Sequence, residues 1–307
     1  MRIIAGAAGG ASGQKPRLSS ASFLCVFLLL LSLPLAALSA IFRPMSTSND
    51  MTPPPLDREE TTSFGFQTVA TSDKQGLVRG VFDSVADKYD LMNDLMSAGL
   101  HRAWKKRMIE ALHIRPHTQL RLVDVAGGTG DIAFRTVARG AKLNSAVSAQ
   151  VIDANEQMVR VGRDRAAKEK REHVDFLTGT AEALPLADNS VDMVTIAFGI
   201  RNVTHRDRAL ADMHRILKPG GRFVCLEFSH MPSRLLQRAY DAYSFNLIPP
   251  MGGAVTGDAA AYQYLVESIR QFPPAPAFLE EVRAAGFRRP QAHLMTGGIA
   301  ALHMGWK

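Results

Sequence analysis

Apolar residues change their period repeatedly along this chain, and the changes mark out alternating strands and helices. Short, strongly apolar runs at Leu122–Ala126, Val147–Ile152, Val174–Thr178, Val191–Ala197 and Arg222–Phe228 read as buried strands. Segments with helical spacing separate them: Ile132–Ala138, Glu156–Lys170 and Arg206–Leu217, the last with Thr204 as a candidate cap. Strand and helix in alternation predict an α/β fold with a parallel sheet covered on both faces. Lys218-Pro219-Gly220-Gly221 reads as a turn before the fifth strand. Farther on, Arg234–Leu247, Ala259–Arg270 and Ala275–Ala285 read as helices. Arg288–Met295 and Ile299–Trp306, joined around Gly297-Gly298, read as a terminal β-hairpin. Ahead of the first strand, Lys74–Ile114 is helical in pattern, with Val78, Val81, Phe82, Val85 and Tyr89 on one face.

The N-terminal region is different in kind. Phe23–Leu38 is almost wholly apolar, preceded by Lys15 and Arg17 and followed by small residues. It resembles a signal peptide or short anchor, but Pro34 interrupts it and it is short for a full span. Met45 and Met51 lie just downstream, so a translation start there is a third reading. Ser46–Glu60 is polar and Pro-rich, as in disordered linkers. The expected division is a leader and linker over 1–65 and one domain over 66–307. Of the formal net charge of +7, the first fifty residues carry +3, from Arg2, Lys15, Arg17 and Arg43 against Asp50. What remains is too weak and scattered for nucleic acid, and compatible with an anionic membrane surface. The two cysteines, Cys25 and Cys225, offer no disulfide framework, which points to a reducing compartment.

The chemistry concentrates in Arg121–Asp131, RLVDVAGGTGD. Asp124 interrupts an apolar strand, where a carboxylate is costly without a task. Gly127, Gly128 and Gly130 then open the helix, so the backbone can approach a ligand closely. Gly128-x-Gly130-x-x-Ala133 fits a dinucleotide fingerprint, and a site for S-adenosylmethionine (SAM) fits equally. Asp153 ends the second strand about twenty residues on, where an acid accepts hydrogen bonds from a ribose diol. Both ligands carry that diol. Gly179–Asp188, after the third strand, resembles the adenine-contacting turn of SAM-dependent methyltransferases. The late hairpin is also typical of that fold.

Several longer motifs, in order, make a resemblance specific. They are Tyr89-Asp90-x-Met92-Asn93 with Met96-Ser97, His101 and Trp104; Phe198-Gly199-Ile200-Arg201-Asn202-Val203-Thr204; Arg215–Gly221 with Glu227-Phe228-Ser229; Tyr240–Phe245; and Ala301-Leu302-His303. From Phe66 to Lys307 the chain resembles the ubiquinone/menaquinone biosynthesis C-methyltransferases of the UbiE type. The leader has no counterpart there. The resemblance implies a Rossmann-like SAM-methyltransferase fold: a mostly parallel seven-stranded sheet, a C-terminal antiparallel hairpin and an N-terminal helical lid. It implies donor contacts from Gly128, Thr129 and Gly130, from Asp153 on the ribose, and from Thr180 and Ala181 near the adenine. Ala197 stands where the family commonly has Ser, which removes a hydroxyl contact.

The implied reaction moves a methyl from SAM to a ring carbon of a polyprenylated benzoquinol or naphthoquinol. Removing the phenolic proton pushes electron density to the ortho carbon. Arg201 is the candidate for stabilising the phenolate or orienting a deprotonating water, and Asn202 for holding a quinol oxygen. Tyr243 is a candidate base, with Tyr89 and His303 behind it. The aromatic stripe Tyr240–Phe245 would line a substrate channel. No metal is required. The expected setting is cytoplasmic, peripheral at the inner membrane surface, with other quinone-biosynthesis enzymes as partners. The alternatives are a methyltransferase on another apolar phenol or sterol, a non-catalytic SAM-binding scaffold and, least favoured, an NAD(P) oxidoreductase.

Overall fold

The computed structural model describes residues 60–85, 94, 97 and 99–307. The leader, the linker through residue 59, the Tyr89–Asn93 motif and Met96 lie outside the described residues. A small hairpin comes first, β1 (Thr61–Phe64) and β2 (Gln67–Ala70), followed by helices α1 (Thr71–Val85) and α2 (His101–Ala111). The alternating core follows: β3 (Gln119–Val125), α3 (Asp131–Lys142), β4 (Ala146–Asp153), α4 (Glu156–Lys168), β5 (Val174–Thr178), β6 (Val191–Ala197), α5 (Arg206–Ile216) and β7 (Leu217–Phe228). Four helices, α6 (Arg234–Asn246), α7 (Ile248–Thr256), α8 (Ala259–Gln271) and α9 (Ala275–Ala284), precede β8 (Arg288–Met295) and β9 (Ala300–Trp306).

The main sheet has seven strands in the order β5-β4-β3-β6-β7-β9-β8. β3 to β7 run parallel, and β9 inserts antiparallel between β7 and β8. β6 and the carboxyl-terminal parts of β3 and β7 are buried because helices cover both faces, which is why those segments read as apolar runs. Val123, Val125, Val194, Ile196, Phe223 and Cys225 pack there with Leu210, Met213 and Ile216 of α5 and Phe278 and Val282 of α9. Connections leave in opposite directions from β3 and β6. That reversal opens a crevice outside the carboxyl ends of the strands, the usual ligand position in such sheets.

Of the Lys74–Ile114 stretch, expected to be helical, the described residues include α1 from Lys74 on and α2. Three local expectations are corrected. Lys218–Gly221 is an excursion within one strand: Leu217 pairs with Val191, and the register resumes at Arg222 opposite Met193. Thr204 does not cap α5; His205 holds the cap position, and its main-chain N–H donates to Glu182 Oε1 at 2.8 Å. Helix α7, which contains Pro249 and Pro250, was not among the helices expected. Both fall in its first turn, where no intrahelical donor is lost. The paired strands begin at Thr61, ahead of the boundary expected at 66. Their hairpin is tied down by Phe64 stacked on Tyr264 at 4.2 Å and by the Phe66 N–H on Glu267 Oε2 at 3.0 Å. Among the described residues no helix is long and apolar enough to cross a membrane.

Candidate functional site

A cavity of about 1230 Å³, counted with its open mouth, lies at the switch point. The glycine turn forms its floor. Asp153 and Asn155 after β4, Gly179–Glu182 after β5, and Ala197–Gly199 with Asn202–Thr204 after β6 form its sides. Helix α1 supplies a further wall through Gln75, Val78, Arg79 and Phe82. Contacts that hold α1 there include Asn155 Nδ2 donating to Asp83 Oδ1 at 2.8 Å, and Lys74 and Arg79 each reaching one main-chain carbonyl at 3.5 Å.

The glycine turn explains its own composition. Gly130 caps α3 at φ +82°, in the left-handed region, and a Cβ there would stand 2.8 Å from the Phe176 ring. Non-glycine residues in that region include Ala126 (φ +48°) after β3 and Phe198 (φ +55°) after β6. Both line the cavity. No signal in the sequence marks either position.

Asp153 accepts the Gly128 N–H on Oδ2 and the Asn155 N–H on Oδ1, each at 2.8 Å. Each oxygen keeps a second lone pair, so one hydroxyl can be received on each. Burial pushes its carboxyl above the ordinary range against those two bonds. Asp124, completely buried at the end of β3, accepts the Thr195 hydroxyl on Oδ1 at 2.8 Å. Its Oδ2 lacks a hydrogen-bond partner, and burial pushes its pKa up to about 7. Lys105 of α2 is also buried, with Nζ 2.9 Å from Asp131 Oδ2 on the first residue of α3. Both line the cavity. Burial alone would raise the Asp131 pKa, but Lys105 and Arg135 together bring it below the ordinary value.

Gly128, Thr129, Asp153, Thr180, Ala181, Ala197 and Asn202 all line the cavity, as do Arg79, Phe82, Lys105 and Asp131, which sequence reasoning passed over. Gly130 shapes the turn without lining it. Arg201 and Tyr243 are not brought there. Arg201 Nη1 lies 2.9 Å from Glu227 Oε1 and also donates to the Phe198 carbonyl, while Nε reaches Ser268 Oγ at 3.4 Å. The pair is enclosed, with side chains 4% and 0% exposed. Burial still raises the Glu227 pKa above its ordinary value, despite the guanidinium. The Arg201 charge is matched by Glu227, and Arg201 is not among the residues that line the cavity. Tyr243 is buried within α6, 6.3 Å from Tyr240 by ring centroids, and neither lines the cavity. His303 is buried on β9 against Phe278 with neither ring nitrogen bonded, and burial lowers its pKa to about 4. It is not a cavity residue either. Asn202 is: Tyr264 Oη donates to its Oδ1 at 2.9 Å, which leaves the amide N–H groups to donate elsewhere.

The cradle suits SAM on its own geometry. A diol fits Asp153, a close-packed nucleoside fits the glycine turn, and the unpartnered Asp124 Oδ2 fits a donor group on the ligand. A doubly wound sheet closed by an antiparallel hairpin, with this turn and acid at its switch point, defines a SAM-dependent methyltransferase of the Rossmann-like class. Solved structures share that fold: the putative methyltransferase complexed with the Haloferax volcanii Trm112 activator (TM-score 0.52, 17% identity, 75% of this chain and 96% of that chain). Haemonchus contortus phosphoethanolamine N-methyltransferase 2, solved with SAM, is another (TM-score 0.50, 14% identity, 67% and 52%). The chain belongs to the ubiE/COQ5 methyltransferase family, whose sequence model matches residues 67–307. Relatives named "Ubiquinone/menaquinone biosynthesis C-methyltransferase UbiE" include those of Nitrobacter hamburgensis, 56% identical, and Dinoroseobacter shibae, 54% identical. Each match spans 250 residues, 81% of this chain and 98% of the relative.

Proposed function

We propose that the protein methylates a ring carbon of a polyprenylated quinol, a benzoquinol or demethylmenaquinol of ubiquinone or menaquinone biosynthesis, with SAM as donor. The observation that carries this reading is one continuous cavity. It holds the diol acid Asp153 and the glycine turn together with the apolar side chains of Val78, Phe82 and Phe198 and the amide of Asn202. When bound, SAM supplies a methyl already activated by its positive sulfur, so the protein need not activate the donor. Its residues must orient the ring, exclude water and hold the phenolic oxygen as it loses its proton. Val78, Phe82 and Phe198 take the ring and keep water out. Tyr264 fixes the Asn202 amide so that its N–H groups face a quinol oxygen and favour the phenolate. Arg201, held by Glu227, is a positioning residue that stiffens the loop carrying Asn202. Deletion of the gene should accumulate the demethylated quinone in lipid extracts. An unchanged quinone profile would overturn the reading.

The prenyl tail places the substrate in a bilayer, and the surface around α6 and α7 suits peripheral docking. Leu235, Leu247 and Met251 are exposed there with Arg234 and Arg238, and exposed Phe66 stacks on Phe245 of α6. Flotation with anionic vesicles should retain the protein and lose Leu235→Glu/Met251→Glu. Equal flotation of both would refute docking through this face.

A further inference from the structure

The cavity contains a pair of opposite charges that no step above uses. Lys105 Nζ is buried against Asp131 Oδ2 at 2.9 Å, and both side chains line the cavity. A buried lysine is expensive to desolvate, and one carboxylate contact uses only one of its three N–H donors. The other carboxylate oxygen of Asp131 is held by Arg135 Nε at 2.8 Å. That second bond fixes Asp131 at the start of α3, immediately after the glycine turn. The pair thus presents a fixed positive and negative charge side by side on the cavity wall. The diol acid Asp153 binds the other end of the same turn, through the Gly128 N–H.

Such a pair complements a ligand that itself carries adjacent opposite charges. An α-amino acid is such a group: its carboxylate meets Lys105 Nζ and its ammonium meets Asp131 Oδ2, so no charge is left buried alone. We propose that Lys105 and Asp131 form the clamp for the α-amino-acid end of the bound sulfonium nucleoside, and that they distinguish it from nucleosides lacking that end. The proposal rests on the SAM reading above. It explains why α2, from outside the sheet, sends a lysine into the cavity, and it makes α2 part of the donor site and not merely packing.

Calorimetry with the purified full chain tests it with two probes, S-adenosylhomocysteine and 5′-methylthioadenosine, which lacks the amino-acid end. The wild type should bind the first at least tenfold more tightly. Lys105→Met should lose at least tenfold for S-adenosylhomocysteine and keep its affinity for methylthioadenosine, and Lys105→Arg should recover part of the loss. Equal weakening for both probes, or no change for either, would assign the pair to packing and overturn the clamp. Should Lys105→Met fail to fold, the wild type alone decides, by SAM against decarboxylated SAM. A loss of tenfold or more without the carboxylate supports the clamp, and equal affinity overturns it. A wild type that binds no adenosyl probe would overturn the SAM reading itself.

Discussion

Replacing Arg201 by Met should destabilise the protein by an amount that depends on pH, because the substitution leaves Glu227 behind. The carboxylate is fully buried, and among the described residues its other donors are the main-chain N–H groups of Phe228 at 2.9 Å and Arg201 at 3.4 Å. Without the guanidinium it will fold protonated. The ordinary value of 4.5 sets the cost: holding the proton takes about 3.4 kcal/mol at pH 7 and about 0.7 kcal/mol at pH 5. The sign follows from a folded pKa raised above the unfolded one. Stability is intact below pH 4.5 and is lost as pH rises toward the folded value. Losing the bonds to the Phe198 carbonyl and Ser268 adds a part that does not vary with pH. Urea denaturation at pH 5 and pH 7 should therefore show a deficit larger at pH 7, by up to about 2.7 kcal/mol. Adding Glu227→Gln should remove most of that difference. An Arg201→Met deficit equal at both pH values would refute the argument, and the buried pair would not be what holds this loop.

Three further outcomes follow from the geometry. His303→Leu should stabilise the protein by about 1 kcal/mol at pH 7, since two buried ring nitrogens go unbonded. Because its folded pKa is lowered to about 4, stability contributed by the neutral ring is lost as pH falls below 6.5, and the gain should grow by about 2 kcal/mol at pH 5; thermal melts at both pH values check this. Gly130→Ala should cost roughly 1–2 kcal/mol for the left-handed backbone and more for the Phe176 contact, read as a lower urea midpoint; an unchanged midpoint would contradict it. Asp83→Ala should release α1, raising its amide hydrogen-exchange rates about fivefold while the sheet stays protected; uniform exchange would show that α1 does not open on its own.

Much of this was legible because period and chemistry agreed. The buried parallel strands announce themselves as apolar runs, and Val174–Thr178 and Val191–Ala197 fall where the runs do. The glycine turn and Asp153 are local signals at fixed spacing, and they meet in space as β3 and β4 pair. What was not legible depends on long-range partners. Nothing near Arg201 in sequence reveals that Glu227, on the neighbouring strand, claims its charge. Lys105 and Asp131 look like ordinary surface charges until α2 and α3 pack together. The Tyr240–Phe245 stripe has helical spacing, and spacing alone does not say which side of a helix meets the cavity. The strands of β1 and β2 are four residues each, too short to carry a period.

The most direct measurement is methyl transfer itself, followed by carbon-13 NMR. The purified chain would be given SAM labelled in its methyl group and a demethylated quinol, benzo or naphtho, kept reduced in anionic vesicles. The labelled methyl should appear on a ring carbon of the quinol. A label found on an oxygen, or left on SAM while calorimetry shows donor binding, would contradict the proposed function.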